Sequence, residues 1–251
     1  MTRNGKLYGV GTGPGDPELM TLKAVRALGE ADVLAYFCKK GSTGNGRGIV
    51  AAHIRPEMID LPLVYPVTVE KHRKSADYNA EIAGFFDRSA EAIAAHLDAG
   101  RTVAVLSEGD PLLYGSYMHL HLRLAPRYEA EVVAGVTAMS GCWSMAGLPL
   151  VQGDDILTVL PGTLEEEALI ERLSGTDGAV IMKVGRNLPK IRRALEAAGK
   201  LAGAVYVERG TMATGFAQAL DARGDEPAPY FSLVLVPGWQ SRPAPMAEAA
   251  Q

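Results

Sequence analysis

The tripeptide Gly-Asp-Pro occurs twice in this chain of 251 residues, each time at the end of an apolar run. The first copy, Gly15-Asp16-Pro17, follows Leu7-Tyr8-Gly9-Val10-Gly11-Thr12-Gly13-Pro14. The second, Gly109-Asp110-Pro111, follows Val103-Ala104-Val105-Leu106-Ser107-Glu108 and continues Leu112-Leu113-Tyr114-Gly115. Asp is a favourable N-cap and Pro suits the first helical position, so each copy reads as a strand, a tight turn and a helix start. Such a turn presents backbone N–H groups at the positive end of a helix, where a ligand's polar atoms bind well. In an open parallel sheet the carboxyl ends of the strands are also where ligands sit. The two loops together mark the candidate active site.

Other chemical patterns fail on spacing. In Gly9–Gly15 the positions a third dinucleotide-binding Gly would need are Pro14 and Asp16. The second strand ends Ala35-Tyr36-Phe37-Cys38, with no acidic residue to hold a ribose; Asp32 lies at its start. There is no Gly-Lys-Ser/Thr and no Gly-x-Ser-x-Gly. His119 and His121 form a His-x-His pair that a helix would point apart, and two cysteines, Cys38 and Cys142, make neither a disulfide framework nor a zinc site. No metal is expected.

The elements that must position the loops follow a strand–helix rhythm. Leu7–Gly11 reads as a strand, Asp16–Glu30 as a helix, Asp32–Cys38 as a buried strand and Tyr78–Ala99 as a long amphipathic helix. A strand at Thr102–Leu106, a helix to about Leu124 and a strand at Glu131–Ala134 follow. This alternation implies a mostly parallel sheet with helices on both faces. Further on, Asp155–Leu160, Ala179–Lys183, Ala204–Glu208 and Phe231–Val236 read as strands; Leu164–Leu173 and Asn187–Ala198 read as helices, with Asn187 as N-cap and Gly199 at the C-terminus. With fewer helices per strand, this half implies a mixed α+β sheet. The domain change is placed between Val136 and Gly153, giving domains 1–140 and 141–240 and a Pro/Ala-rich tail at 241–251 expected to be disordered.

Composition bounds the function. A 47% hydrophobic fraction supports a sizeable core, and a net charge of -4 exerts no general pull on nucleic acid or anionic membrane. The pI near 5.8 agrees. No uncharged apolar stretch is long enough to span a bilayer, and the start, Met1–Lys6, carries no signal-peptide core. Two cysteines fit a reducing, cytoplasmic setting.

Three segments carry a family resemblance. Tyr8–Ala24 resembles the opening signature of the tetrapyrrole methylases, which use S-adenosyl-L-methionine; Val103–Gly115 is similar to their second signature. Val132–Ala138 is similar to the third, with Ala134 where the family usually has proline. Ser116-Tyr117-Met118, Val207–Met212 and Pro229–Leu233 resemble the members that methylate precorrin-2 at its C-20 meso carbon. The resemblance implies two α/β domains with the active-site cleft between them, a homodimer, and release of S-adenosyl-L-homocysteine. It also implies that Gly109, Asp110, Leu113 and Tyr114 touch the cofactor, with Thr137 and Ala138 from the third signature and Met182, Gly210 and Ser232 from the second domain. Pro14 would lie beneath the site. Small residues permit close backbone approach, and Leu113 and Met182 suit the cofactor's apolar parts.

The implied chemistry is methyl transfer from a sulfonium to an electron-rich carbon, which depends mainly on positioning. Glu108, Tyr114 and His119 are near enough in sequence to be considered as a base, but none is assigned as catalytic. A tetrapyrrole substrate carries many carboxylates, so two basic runs are candidates for its entry: Lys39, Lys40 and Arg47 in a loop after the second strand, and Lys71-His72-Arg73-Lys74. Methylation of another tetrapyrrole (precorrin-4 at C-11, or uroporphyrinogen), of RNA ribose or of the diphthamide precursor stays open, as does a non-enzymatic nucleotide sensor.

Overall fold

Apolar residues alternate in β1 (Lys6–Gly11): Leu7 enters one core, Tyr8 and Val10 the other, the period-2 signature of a strand buried on both faces. A computed structural model describes residues 5–66 and 76–238. The basic run Lys71–Lys74 and the tail from Ser241 lie outside the described residues. The chain divides into two units between Ala138 and Met139.

In the first unit the expected helix at Asp16–Glu30 is split. Asp16 accepts from the Glu18 N–H at 2.9 Å and caps a single 3-10 turn, Pro17–Leu19. Met20 is then extended and buried, and Thr21 accepts from the Ala24 N–H to start α1 (Leu22–Glu30). The second N-cap wins because it turns Met20 into the core that also takes Ala24 and Leu28. β2 (Val33–Cys38) is as expected. α2 (Asn45–Ile49) and β3 (Ile59–Val64) were not legible; β3 is mostly exposed and holds Pro62, as an edge strand does. α3 (Ala76–Asp98) and β4 (Val103–Ser107) match the expectation to within two residues.

The second Gly-Asp-Pro does not start a helix. Asp110 accepts from the Leu112 N–H, but the chain stays irregular through Ser116, and α4 (Tyr117–Leu124) begins only afterwards. Tyr114 lies in left-handed backbone, φ 55°, which interrupts a right-handed helix. β5 (Glu129–Val133) completes a five-stranded, all-parallel sheet in the order β3-β2-β4-β1-β5. α3 and α4 pack on one face with Leu7, Val103 and Val105; α1 and α2 pack on the other with Val10, Ala104 and Leu106.

The second unit opens with α5 (Ala138–Met145), a helix hidden from the sequence reading because its small and apolar residues form no clear stripe. Its sheet has the order β6-β7-β10-β8-β9, from β6 (Leu157–Pro161), β7 (Gly178–Met182), β8 (Val205–Glu208), the unforeseen β9 (Phe216–Ala219) and β10 (Ser232–Val236). β6 and β7 are parallel; β10 is antiparallel to both β7 and β8, and β8 to β9, so the sheet is mixed. α6 (Glu166–Ser174) and α7 (Leu188–Ala197) cover one face through Leu169, Leu173, Ile191 and Leu195; Cys142 and Trp143 of α5 join the core on the other. Asn187 does not cap α7: its backbone is already helical and its amide Nδ2 donates to the Lys183 carbonyl. Gly199, φ 68°, ends that helix as expected, its N–H donating to the Glu196 carbonyl.

Candidate functional site

The carboxyl ends of β1, β4 and β5 meet backbone to backbone. β1 and β4 are parallel neighbours, with Gly11 beside Ser107. Their pairing runs past the strands: the Thr12 N–H donates to the Ser107 carbonyl and the Gly109 N–H to the Gly13 carbonyl at 2.8 Å. Gly135, just beyond β5, closes the junction. A Cβ on it would lie 2.0 Å from the Gly109 carbonyl oxygen and 2.9 Å from the Gly11 Cα. A Cβ on Gly11 would lie 2.6 Å from the Gly135 backbone. Only glycine fits at either place.

Asp110 holds this junction. One carboxylate oxygen accepts from the Leu112 N–H at 2.9 Å, the other from the Gly135 N–H at 3.2 Å. The side chain therefore ties the loop after β4 to the segment after β5. Gly109 is left-handed, φ 69°, and a Cβ on it would lie 3.5 Å from the Ala138 nitrogen and 3.8 Å from the Thr137 Cα. Gly109, Asp110, Thr137 and Ala138 are thus brought together. Pro14 is buried in the adjoining loop. Leu113 is half-buried, while Leu112 and Tyr114 are exposed. α1 and α4 lie on opposite faces of the sheet, so the chain leaves β1 and β4 in diverging directions, the arrangement that opens a ligand crevice in α/β sheets.

Gly9 serves a different end from the one its glycine-rich setting suggests. A Cβ there would lie 2.2 Å from the Tyr117 ring, so its absence lets that buried ring cross β1. Burial raises the Tyr117 phenol above its ordinary pKa, and its Oη lies 3.2 Å from the His121 Nδ1. His119 stacks on Phe86 instead, with ring centroids 4.1 Å apart. Burial and then the Arg123 charge lower its pKa. The two histidines have separate partners, and no group of three or more His, Cys, Asp or Glu among the described residues is arranged to hold a metal ion. Glu108 accepts from the Gly46 N–H at 3.0 Å and so braces α2. Lys39 and Lys40 are exposed after β2. Arg47 lies not in a loop but on α2, with its Nε 3.1 Å from an Asp60 oxygen; that bond raises its pKa.

In the second unit, β7 and β8 run the same way on either side of antiparallel β10. The end of β7, the end of β8 and the start of β10 therefore share one sheet edge. Met182, Gly210 and Ser232 all belong to that edge, with Ser232 in register with Glu208. Met182 is half-buried. Ser232 is buried and its hydroxyl donates to the Pro229 carbonyl. Gly210 is packed so closely that a Cβ would lie 2.4 Å from the Cys142 Sγ. Burial pushes the Cys142 thiol up to about 12, which removes it as a nucleophile at neutral pH. The sequence reading missed Lys183, Arg209 and Thr211 on this edge, all left-handed at φ 55°, 46° and 69°. No residue-type signal announces them, because Lys, Arg and Thr ordinarily avoid that conformation.

The sequence profile of the tetrapyrrole (corrin/porphyrin) methylases matches residues 6–218. The chain is 66% identical over 239 residues to a precorrin-2 C(20)-methyltransferase of Sinorhizobium sp., covering 95% of this chain and 98% of that one. It is 30% identical to the cobalt-precorrin-2 C(20)-methyltransferase of Salmonella typhimurium, covering 93% and 96%. The uroporphyrin III C-methyl transferase of Thermus thermophilus has the same fold, with a TM-score of 0.66, 25% identity and coverage of 95% and 100%. That enzyme's complex with S-adenyl homocysteine gives a TM-score of 0.66 at 24% identity, covering 93% of this chain and 92% of that one. The three signatures lie within the matched span and each contributes a glycine to the junction, and the chain belongs to the tetrapyrrole methylases.

Proposed function

We propose that this chain transfers a methyl group from S-adenosyl-L-methionine to the C-20 meso carbon of precorrin-2, giving precorrin-3A in cobalamin biosynthesis. The observation that carries this reading is the 66% identity, over 98% of its length, to an enzyme named for that reaction. The lower identity, 30%, to the cobalt-precorrin-2 enzyme favours a metal-free substrate.

The described residues fit the cofactor. The junction of Gly11, Gly109 and Gly135 carries no side chain that would hold a ligand away from the loop backbone. Half-buried Leu113 and Met182 offer apolar surface for adenine or the methionine carbons. In this reading Gly109, Asp110, Leu113, Tyr114, Thr137, Ala138 and Pro14 are the first unit's cofactor residues, and Met182, Gly210 and Ser232 are those of the second. Asp110 acts by shaping, since both its oxygens accept from backbone N–H groups. Lys39 and Lys40, with Arg47, meet substrate carboxylates. The bound cofactor supplies an electrophilic methyl group. The chain's own residues orient the two reactants and exclude water, and proximity alone is worth about 7–11 kcal/mol in such reactions. No side chain is assigned as the base; Glu108 and His119 are engaged elsewhere, on Gly46 and Phe86. The cytoplasm and a homodimer complete the reading. It is supported by two buried free cysteines, by the absence among the described residues of any helix long and apolar enough to cross a membrane, and by the family resemblance.

The test is incubation of purified protein with labelled methyl donor and precorrin-2, with mass spectrometry and NMR of the product. One methyl group at C-20 is expected. A methyl group on another carbon, or a product formed only from the cobalt-containing substrate, overturns the assignment. Sedimentation of the purified chain decides the dimer.

A further inference from the structure

Four residues other than glycine have left-handed backbone among the described residues: Tyr114, Lys183, Arg209 and Thr211. Three lie in the second unit, directly after β7 and β8. A side chain with a Cβ is disfavoured there, and strained residues persist where surrounding structure over-determines them, most often at ligand sites. Both basic positions are over-determined. Around Lys183, the preceding Met182 carbonyl accepts from Gly162 at 2.6 Å and its own carbonyl from the Asn187 amide at 3.1 Å. At Arg209, the N–H donates to the Phe231 carbonyl at 2.8 Å and the carbonyl accepts from Met212 at 2.9 Å. The turns themselves ask for Gly or Asn, not for Lys or Arg.

We propose that Lys183 and Arg209 bind carboxylate arms of the tetrapyrrole at this edge of the second sheet. The proposal rests on the reading above that the substrate is a polycarboxylate macrocycle. β7 and β8 are separated only by β10, so the two backbones stand about 10 Å apart at the ordinary strand spacing. Two cations held at that separation suit two carboxylate arms of one macrocycle better than a single anion. Both side chains are exposed. Arg209 Nη1 lies 3.5 Å from Glu208 Oε1, a long contact between a half-exposed guanidinium and a largely buried carboxylate, while the other Glu208 oxygen accepts from Tyr206 at 2.8 Å. At 3.5 Å that contact is longer than an ordinary charge-assisted hydrogen bond, and the half-exposed guanidinium can take a substrate carboxylate in two-pronged geometry. Met182, Gly210 and Ser232, the second unit's candidate cofactor residues, belong to the same edge, which places the two cations beside the proposed reaction centre within this unit.

Glycine substitution separates strain from function. Lys183→Gly, Arg209→Gly and the double variant relieve the left-handed backbone, so melting temperature stays level or rises by about 2–4 °C. In the double variant the KM for precorrin-2 at low salt rises about 10-fold or more, while the Kd for S-adenosyl-L-homocysteine by calorimetry stays within about twofold. Lys183→Arg, which keeps the charge, restores most of the KM in the single background. Fluorescence titration with uroporphyrin, an octacarboxylate tetrapyrrole, reads the same surface without turnover. A double variant with raised or equal melting temperature and wild-type KM and uroporphyrin affinity overturns the proposal. Should the native protein fail to methylate precorrin-2 while the double variant still loses uroporphyrin affinity, the reaction assignment falls and the carboxylate-binding edge stands.

Discussion

The two Gly-Asp-Pro copies share a local bond and lead into different structures. In each, the Asp accepts at 2.9 Å from the N–H two residues on: Glu18 for Asp16, Leu112 for Asp110. Asp110 also accepts from Gly135 beyond the next strand, while the loop it caps leads into left-handed Tyr114 rather than a helix. The first copy opens a one-turn 3-10 helix. The same tripeptide thus starts a helix turn in one place and in the other clamps two strand ends. The turn chemistry is local, but the use made of the second carboxylate oxygen depends on which strand lies alongside.

That contrast is open to direct attack. The largest effect is expected from Gly135→Ala, because its Cβ would meet the Gly109 carbonyl at 2.0 Å, backbone that cannot rotate aside. A loss of about 3 kcal/mol or more in urea unfolding is expected; a loss under about 1 kcal/mol would show that the junction yields easily. Next comes Asp110→Ala, which leaves the Leu112 and Gly135 N–H groups without this acceptor. It should cost about 1–3 kcal/mol and weaken S-adenosyl-L-homocysteine binding about 10-fold or more. Calorimetry showing wild-type affinity in the folded variant would reduce Asp110 to an ordinary turn residue. Asp16→Ala should cost only about 0.5–1 kcal/mol with unchanged cofactor affinity, and an equal effect from the two aspartates would erase the distinction drawn between them.

The smallest effect is a pH-dependent one elsewhere on the strands that carry these loops. Glu131 of β5 lies 2.6 Å from Lys23 and 2.7 Å from Lys6, and those bonds hold its carboxyl down at about 2 from an ordinary 4.5. A folded-state pKa below the unfolded one means that the stabilisation is present above about 4.5 and fades as pH falls toward about 2. Urea midpoints of the native chain and of Glu131→Gln should differ slightly at pH 7 and converge by about pH 2. A gap that widens on acidification would reverse the assigned sign.

Strands buried on both faces were legible: Val103–Ser107 and Val33–Cys38 are runs of apolar residues that could be little else. Edge strands were not. β3 and β9 are short and largely exposed, so nothing in their residue types separates them from loops. The helix expected at Asp16–Glu30 was misread because two competent caps, Asp16 and Thr21, stand five residues apart, and the burial of Met20 chose the second. At the candidate site, the residue types around Gly109 and Thr137 marked turns at strand ends, and the structure brings these turns together. The placing of Arg47 in a loop was misread, since a Gly-rich stretch reads as irregular while Asp60, which pairs with it, comes from β3. Lys183 and Arg209 carried no signal, because left-handed backbone at a basic residue is imposed by hydrogen bonds from elsewhere in the chain.

Turn chemistry, apolar periodicity and the spacing of three signatures are properties of neighbouring residues, and they were enough to establish the family and both halves of the architecture. Which strand lies beside which is not such a property. Gly13 and Gly109 meet because β1 pairs with β4, and Gly135 joins them because β5 takes the other side of β1. That order follows from how five apolar strands and their crossover helices bury both faces of one sheet at once. No single segment encodes it, and the close backbone packing of the candidate site exists only after the whole sheet has formed.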